Sequence, residues 1–292
     1  MSKTLLKVGA SLLAIGLIVV AVCALLGGTA LLRDTFTGRG FRGLFRFHVG
    51  SAGFIDDDYE IYRSDIEKTF SADTVHGFSL KAEAIDVEII ETDRTDILVK
   101  TDDVDRAQAY MEDGMLCIAG EGPDWGFDSA GEFYIEIPRG FSVRDMEIEI
   151  GAGSFDADNL SSKNLELEVG AGELLVDILK AETVSLEVGA GKCDIKNGDI
   201  EDIEVNVGMG SFTYSGRISD DMEAECGMGN MDMKLLGKET EHNYDLECAM
   251  GNMKVGNYGG AGIVVEKQIN NGVSSDYRME CGMGNVMVSF AE

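Results

Sequence analysis

Three copies of one hexapeptide, "ECGMGN" at 225–230, "ECAMGN" at 247–252 and "ECGMGN" at 280–285, set Cys226, Cys248 and Cys281 beside Met228, Met250 and Met283. Thiol and thioether sulfurs are soft ligands of the kind that select Cu(I). The letter before each Cys points to other chemistry. Glu149, Glu168, Glu187, Glu225, Glu247 and Glu280 recur at one position of a repeat, interrupted by Asn206. Glu147, Glu166, Ser185, Glu204, Glu223, Asp245 and Arg278 fill the position two residues earlier. Like charges stacked about 4.8 Å apart repel by roughly 1 kcal/mol per pair in water. Such columns are a solvated face that discourages aggregation or a docking surface for Ca2+ or cationic peptides. Enzyme signatures are missing: there is no G-x-S-x-G, H-E-x-x-H, C-x-x-C or Walker loop, and the chain has only 3 His. No catalytic, cofactor-binding or metal-ligating residue is assigned. The calcium-binding β-roll nonapeptide is also missing.

The elements that would position these columns follow from a period. Gly-x-Gly triplets end at 153, 172, 191, 210 and 229, each step 19 residues, then at 251 as "CAMG" and at 284. A fixed period of this size marks a solenoid. Alternation with period two marks strands. Ile148/Ile150, Leu167/Val169, Leu186/Val188 and Val205/Val207 point inward before each triplet, and Phe155/Ala157, Leu174/Val176, Cys193/Ile195 and Phe212/Tyr214 after it. The parity flip between the two sets demands a corner, which the glycines are expected to make through unusual backbone angles. Leu160, Leu179, Ile200, Ile218 and Leu235 or Leu236 supply a third side. In register, Cys226, Cys248 and Cys281 continue the column of Ile150, Val169, Val188 and Val207, so core packing is their reading. A Cu(I)-type thiol/thioether site and a disulfide are the alternatives. Asn230, Asn252 and Asn285 suit left-handed corners or a stacked amide ladder.

The predicted fold is therefore all-β: a parallel, right-handed β-solenoid of 19-residue turns over 146–292. An irregular β-region over 65–145 caps it, with a hairpin turning at Asp113-Gly114. The final turn, ending "VMVSFAE", reads as an open end suited to homo-association unless the insert "GNYGGAGIVVEKQINNG" covers it. His48, His76 and His242 fall in polar or linker contexts.

Charge is lopsided. Residues 1–50 hold six of the 24 Lys/Arg and one of the 53 acids, leaving a strongly acidic remainder. Such a body repels phosphate backbones, which argues against nucleic acid as a partner. Residues 8–32 are uncharged and long enough to span a bilayer as a helix, so 1–32 read as a membrane anchor and 33–64 as a juxtamembrane linker. A cleaved signal peptide with Lys3 and Lys7 as its basic start is the alternative, against which stand the length of the apolar run and the want of a clean A-x-A site. Charge alone leaves the orientation open.

The ordered pieces "FSLKAEAIDVEIIETDRTDILVK", "EDGMLCIAG", "FYIEIP" and "MEIEIGAGSFDA" resemble the DUF4097 family of candidate adhesins with β-strand repeats, over roughly 65–292. The resemblance implies a β-domain outside the cell membrane, no established catalytic residues, and a link to envelope stress. The expectation is a single-pass, extracytoplasmic, non-enzymatic binding or adhesin-like module. A β-helix polysaccharide-active enzyme and a cytoplasm-facing scaffold for a regulatory partner are the alternatives.

Overall fold

In the computed structural model, residues 55, 59–62, 65–122, 131–261 and 265–291 are described. The expected anchor (1–32), most of the linker (33–64) and the loop holding the single Trp lie outside them. Among the described residues no helix is long and apolar enough to cross a membrane.

Each regular turn is built from one strand that bends. β9 (Ser154–Val169), β10 (Glu173–Val188) and β11 (Lys192–Val207) are 16-residue strands stacked in parallel. Glu173 pairs with Lys192 and Val188 with Val207, so the step is the 19 residues of the repeat. Inward residues of β9 are Phe155, Ala157, Leu160, Leu165, Leu167 and Val169, all buried. Their odd spacings at 157/160 and 160/165 are where the chain turns while keeping apolar groups inside. Three sides result, and the third is lined by Leu160, Leu179, Ile200, Ile218 and Leu235, while Leu236 is 51% exposed.

The glycines act mainly through size. Among the Gly-x-Gly residues only Gly153 has a left-handed backbone, at φ 102°. Elsewhere the corners stack carbonyl on carbon: a Cβ on Gly191 would stand 2.3 Å from Gly172 O, and one on Gly210 2.3 Å from Gly191 O. Close approach of successive corners, rather than special angles, excludes a side chain. The asparagines are likewise not left-handed; they open strands, and Asn285 Nδ2 donates to Asn230 Oδ1 at 2.9 Å.

Spatial order departs from sequence order at both ends. After β12 (Ser211–Ile218), the pair β13 (Met222–Cys226) and β14 (Asn230–Leu236) forms one turn. The next turn in space is the last in sequence, β19 (Asp276–Cys281) and β20 (Asn285–Ala291). Outside it lies the earlier turn of β15 (Asn243–Cys248) and β16 (Asn252–Val255). The expected open final turn is thus an interior one. The outer edges are paired antiparallel by β17 (Tyr258–Ala261) on β16 and β18 (Val265–Ile269) on β15, so the insert does cover the end. At the other end, β2 (Gly77–Glu83) and β3 (Ile85–Thr92) slot between β8 (Val143–Ile150) with the first half of β9 and the pair β6 (Met115–Glu121) and β7 (Gly131–Pro138). The 78–90 stretch is two strands broken at Ala84, φ 55°. β5 (Arg106–Glu112) and β6 form the hairpin turning at Asp113 and Gly114. β4 (Asp96–Asp102) covers β7, and β1 (Glu67–Ser71) covers β4, all antiparallel. One hydrophobic core runs from Ile66 to Val288. His242 belongs to it: buried, stacked 3.9 Å from Tyr277 and bonded through Nδ1 to Ser275 Oγ at 2.6 Å.

Candidate functional site

The strands preceding the corners form one side of the solenoid, and their outward residues are its acidic face. Along the column nearest the corner the order is Lys81, Glu149, Glu168, Glu187, Asn206, Glu225, Glu280, Glu247 and Glu266. All six carboxylates predicted from the sequence share this column, with Glu280 and Glu247 exchanged in order. Beside it run Ser79, Glu147, Glu166, Ser185, Glu204, Glu223, Arg278, Asp245 and Gln268.

Cations enter these columns near their two ends. Lys81 Nζ lies 2.7 Å from Glu147 and 3.4 Å from Glu149. Arg278 reaches Glu223 at 3.6 Å. Between them the carboxylates crowd one another. Burial, then the charges of Glu149, Glu187 and Glu166, pushes Glu168 above the usual carboxylate range. Burial also raises Glu187, and burial with Glu247 raises Glu280. Glu225 is the extreme: burial and the neighbouring Glu280, Glu223 and Glu204 push it up to about 7. Its Oε2 is buried without a hydrogen-bond partner. A carboxyl in that position is protonated over a wider range of pH than a free one, because burial and a column that already repels both disfavour ionising it.

A third column escaped the sequence reading. Asp145, Asn164, Thr183, Asp202, Asp221, Asp276 and Asn243 lie two residues before the second column, where continuing the alternation one step back would have found them. Here the carboxylates are matched to the next turn. Asp202 Oδ1 accepts from Asp221 N at 3.0 Å, Asp221 Oδ1 from Asp276 N at 2.8 Å, and Asp276 Oδ1 from Asn243 Nδ2 at 2.8 Å. Asp202, Asp220 and Asp221 bring carboxylate oxygens within 4.8 Å of one another. A groove of about 710 Å³, lined by Glu204, Glu223, Asp245, Gln268 and Arg278 among others, opens on this part of the face.

Thiols and thioethers do not meet as the hexapeptide suggested. Cys226, Cys281 and Cys248 stack inside the core at 2–3% exposure. Met228, Met283 and Met250 project outward from the same corners, 40–44% exposed. The corner backbone separates the two sets. Burial pushes the Cys248 thiol up, whereas a hydrogen bond with Cys281 lowers Cys226, so what sets the thiols apart from the thioethers is their closed position in the core rather than a common shift in acidity.

The family model Toastrack DUF4097 matches residues 75–272. Several solved structures are similar across most of their length. A candidate cell adhesion protein from Clostridium sporogenes is 14% identical, with 78% of this chain and 99% of that one aligned and a TM-score of 0.36. A candidate adhesin from Bacteroides fragilis gives 13%, 78%, 98% and 0.40 for the same measures. A candidate lipid binding protein from Parabacteroides distasonis gives 13%, 76%, 96% and 0.40. Comparison with curated proteins finds no match.

Proposed function

The chain belongs to the Toastrack DUF4097 family, and we propose that it is a membrane-anchored, extracytoplasmic binding module whose acidic face docks cationic peptide segments. The observation carrying this reading is the stacking of the column nearest the corner, Glu149 on Glu168 on Glu187 and Glu225 on Glu280 on Glu247, with Lys81 and Arg278 paired to carboxylates near its ends. Burial raises Glu168, Glu187, Glu225 and Glu280 in keeping with that crowding. A polycation laid along the column replaces repulsion with attraction turn after turn, its long flexible basic side chains taking up the difference between turns about 4.8 Å apart and alternate residues of an extended chain about 6.7 Å apart. Such docking is steered by long-range charge and weakened by salt. Calcium is the smaller alternative ligand. Its oxygen donors would be Asp202, Asp220 and Asp221.

The uncharged residues 8–32 support a single span, and the family resemblance supports display outside the cell. Adhesin-like contact or sensing of cationic agents at the envelope are the roles such a face fits. The work asked of the site is binding, which needs no reacting group.

Titration of the full-length protein in detergent with oligolysine at low salt tests the docking. The expected result is a rise in melting temperature that disappears in E168Q/E187Q/E225Q/E280Q and at high salt. An unchanged melting temperature with both oligolysine and calcium sinks the reading. Labelling of an engineered surface cysteine in intact cells tests the topology, and protection from an impermeant reagent would place the domain inside.

A further inference from the structure

The outward methionines are not explained by an acidic docking face. Ala152, Ala171 and Ala190 occupy the middle of the first corners, and the next four corners in space carry Met209, Met228, Met283 and Met250. Their succession is fixed by backbone bonds: Met228 N donates to Gly208 O at 2.8 Å, Met283 N to Gly227 O at 2.7 Å and Met250 N to Gly282 O at 2.8 Å. Each Met is therefore one turn above the last. Their exposures along the ridge are 59%, 44%, 40% and 41%. Large apolar side chains at a solvent-facing corner gain little from burial, and alanine serves the same corner elsewhere in this chain. Four in succession call for a role in which the side chain itself is used.

We propose that Met209, Met228, Met283 and Met250 form a thioether site for a soft monovalent cation, Cu(I) or Ag(I), held between sulfurs of successive corners. Thioethers are soft, uncharged ligands and discriminate against Ca2+ and Mg2+, which take oxygen. The turn-to-turn repeat fits the ion. Parallel strands stack about 4.8 Å apart, and two metal–sulfur bonds of a length like the roughly 2.3 Å of zinc to thiolate, placed in line, span about the same distance. The flexible Met side chain absorbs the difference. Glu225, Glu280 and Glu247 each precede a ridge Met by three residues and face outward from the same strands, so the local field concentrates cations beside the sulfurs. The inward thiols are excluded by the fold. A Cβ on Gly284 would lie 2.8 Å from Cys226 Sγ, and one on Gly251 2.6 Å from Cys281 Sγ, so the corner itself closes over the thiols.

The molecule carries its own control. Met287 is 46% exposed but lies on another side, paired with Asp232 and Lys254. Full-length protein in detergent and chloride-free buffer is treated with tert-butyl hydroperoxide, with and without silver nitrate, and sulfoxide at each Met is read by peptide mass. Bound silver is expected to slow oxidation of the four ridge methionines about fivefold or more while leaving Met287 unchanged. Equal slowing at Met287, or none at the ridge, overturns the proposal. In native mass spectra, M209L/M228L/M283L/M250L should lose at least one silver ion that C226V/C281V/C248V retains. The opposite pattern would assign the metal to the thiols and overturn the thioether site. Valine is the occupant of the Cys column in other turns, and the ridge residues are exposed, so both variants are expected to keep the fold, which their melting temperatures check.

Discussion

Two sides of one coil, built from the same turns, handle charge in opposite ways. On the side after the corners, opposite charges meet between two successive turns: Lys192 pairs with Glu173, and Lys196 Nζ lies 2.6 Å from Asp177. At the third side Lys163 meets Glu182 at 2.9 Å. Each of these pairs joins residues 19 apart in sequence, so the ionic contact reads the repeat and rewards its register. On the acidic face the same register stacks Glu on Glu. The backbone ladder and the core are common to both sides, so the difference is purely in the outward side chains. One side uses the repeat for self-complementarity; the other leaves its charge for something else. That contrast, more than the acidity of the chain as a whole, locates the candidate site.

The comparison can be broken at several strengths. The severest test strikes the corner that joins the sides. Gly191→Ala would put its Cβ 2.3 Å from Gly172 O, and a loss of about 3 kcal/mol is expected, a drop of roughly 6–12 °C in Tm by calorimetry. A drop under about a degree would mean that successive corners are not in close contact. Next, neutralising the acidic column should stabilise while neutralising the mixed side should not. E168Q/E187Q/E225Q/E280Q is expected to raise Tm at low salt by roughly 2–6 °C, whereas E173Q/D177N should leave it level or lower it. Equal signs would erase the distinction.

A pH series sharpens it further. Glu225 is raised from 4.5 to about 7 in the folded protein. Its protonated form is therefore favoured by folding, and its contribution is fully present below pH 4.5 and is lost as pH rises through 7. Glu168, Glu187 and Glu280 shift in the same direction and add to that loss. Melting temperature should fall between those limits, with a shallower slope in E225Q; a flat profile in the wild type contradicts the raised carboxyls. The smallest effect belongs to the mixed side. Lys196→Ala removes an exposed ion pair and should move Tm by no more than about a degree.

Much of this was legible from spacing. Ile150, Val169, Val188 and Val207 in one column, and the parity flip to Phe155 and Leu174, determine the turn length, its inward set and the outward stacking of Glu149, Glu168 and Glu187. The same column places Cys226, Cys281 and Cys248 inside. Asp145, Asp202 and Asp221 were available to the same alternation carried two residues further back. His242 was not: a lone His in the polar stretch between Glu241 and Asn243 carries no periodic signal, and its burial depends on Tyr277, which lies 35 positions on in sequence yet packs against it.

Local pattern determined which residues face in, which face out and where the chain bends, because a strand's alternation and a corner's need for small residues act over a few positions. Tertiary structure alone decided the order of the turns. β13, β15 and β19 all end in Glu-Cys before the same kind of corner and pair in one register, so nothing local says which lies beside which. That choice falls to the long-range fit of the closing turn between two others. It sets Glu280 directly against Glu225 and, across the corner, Met283 between Met228 and Met250.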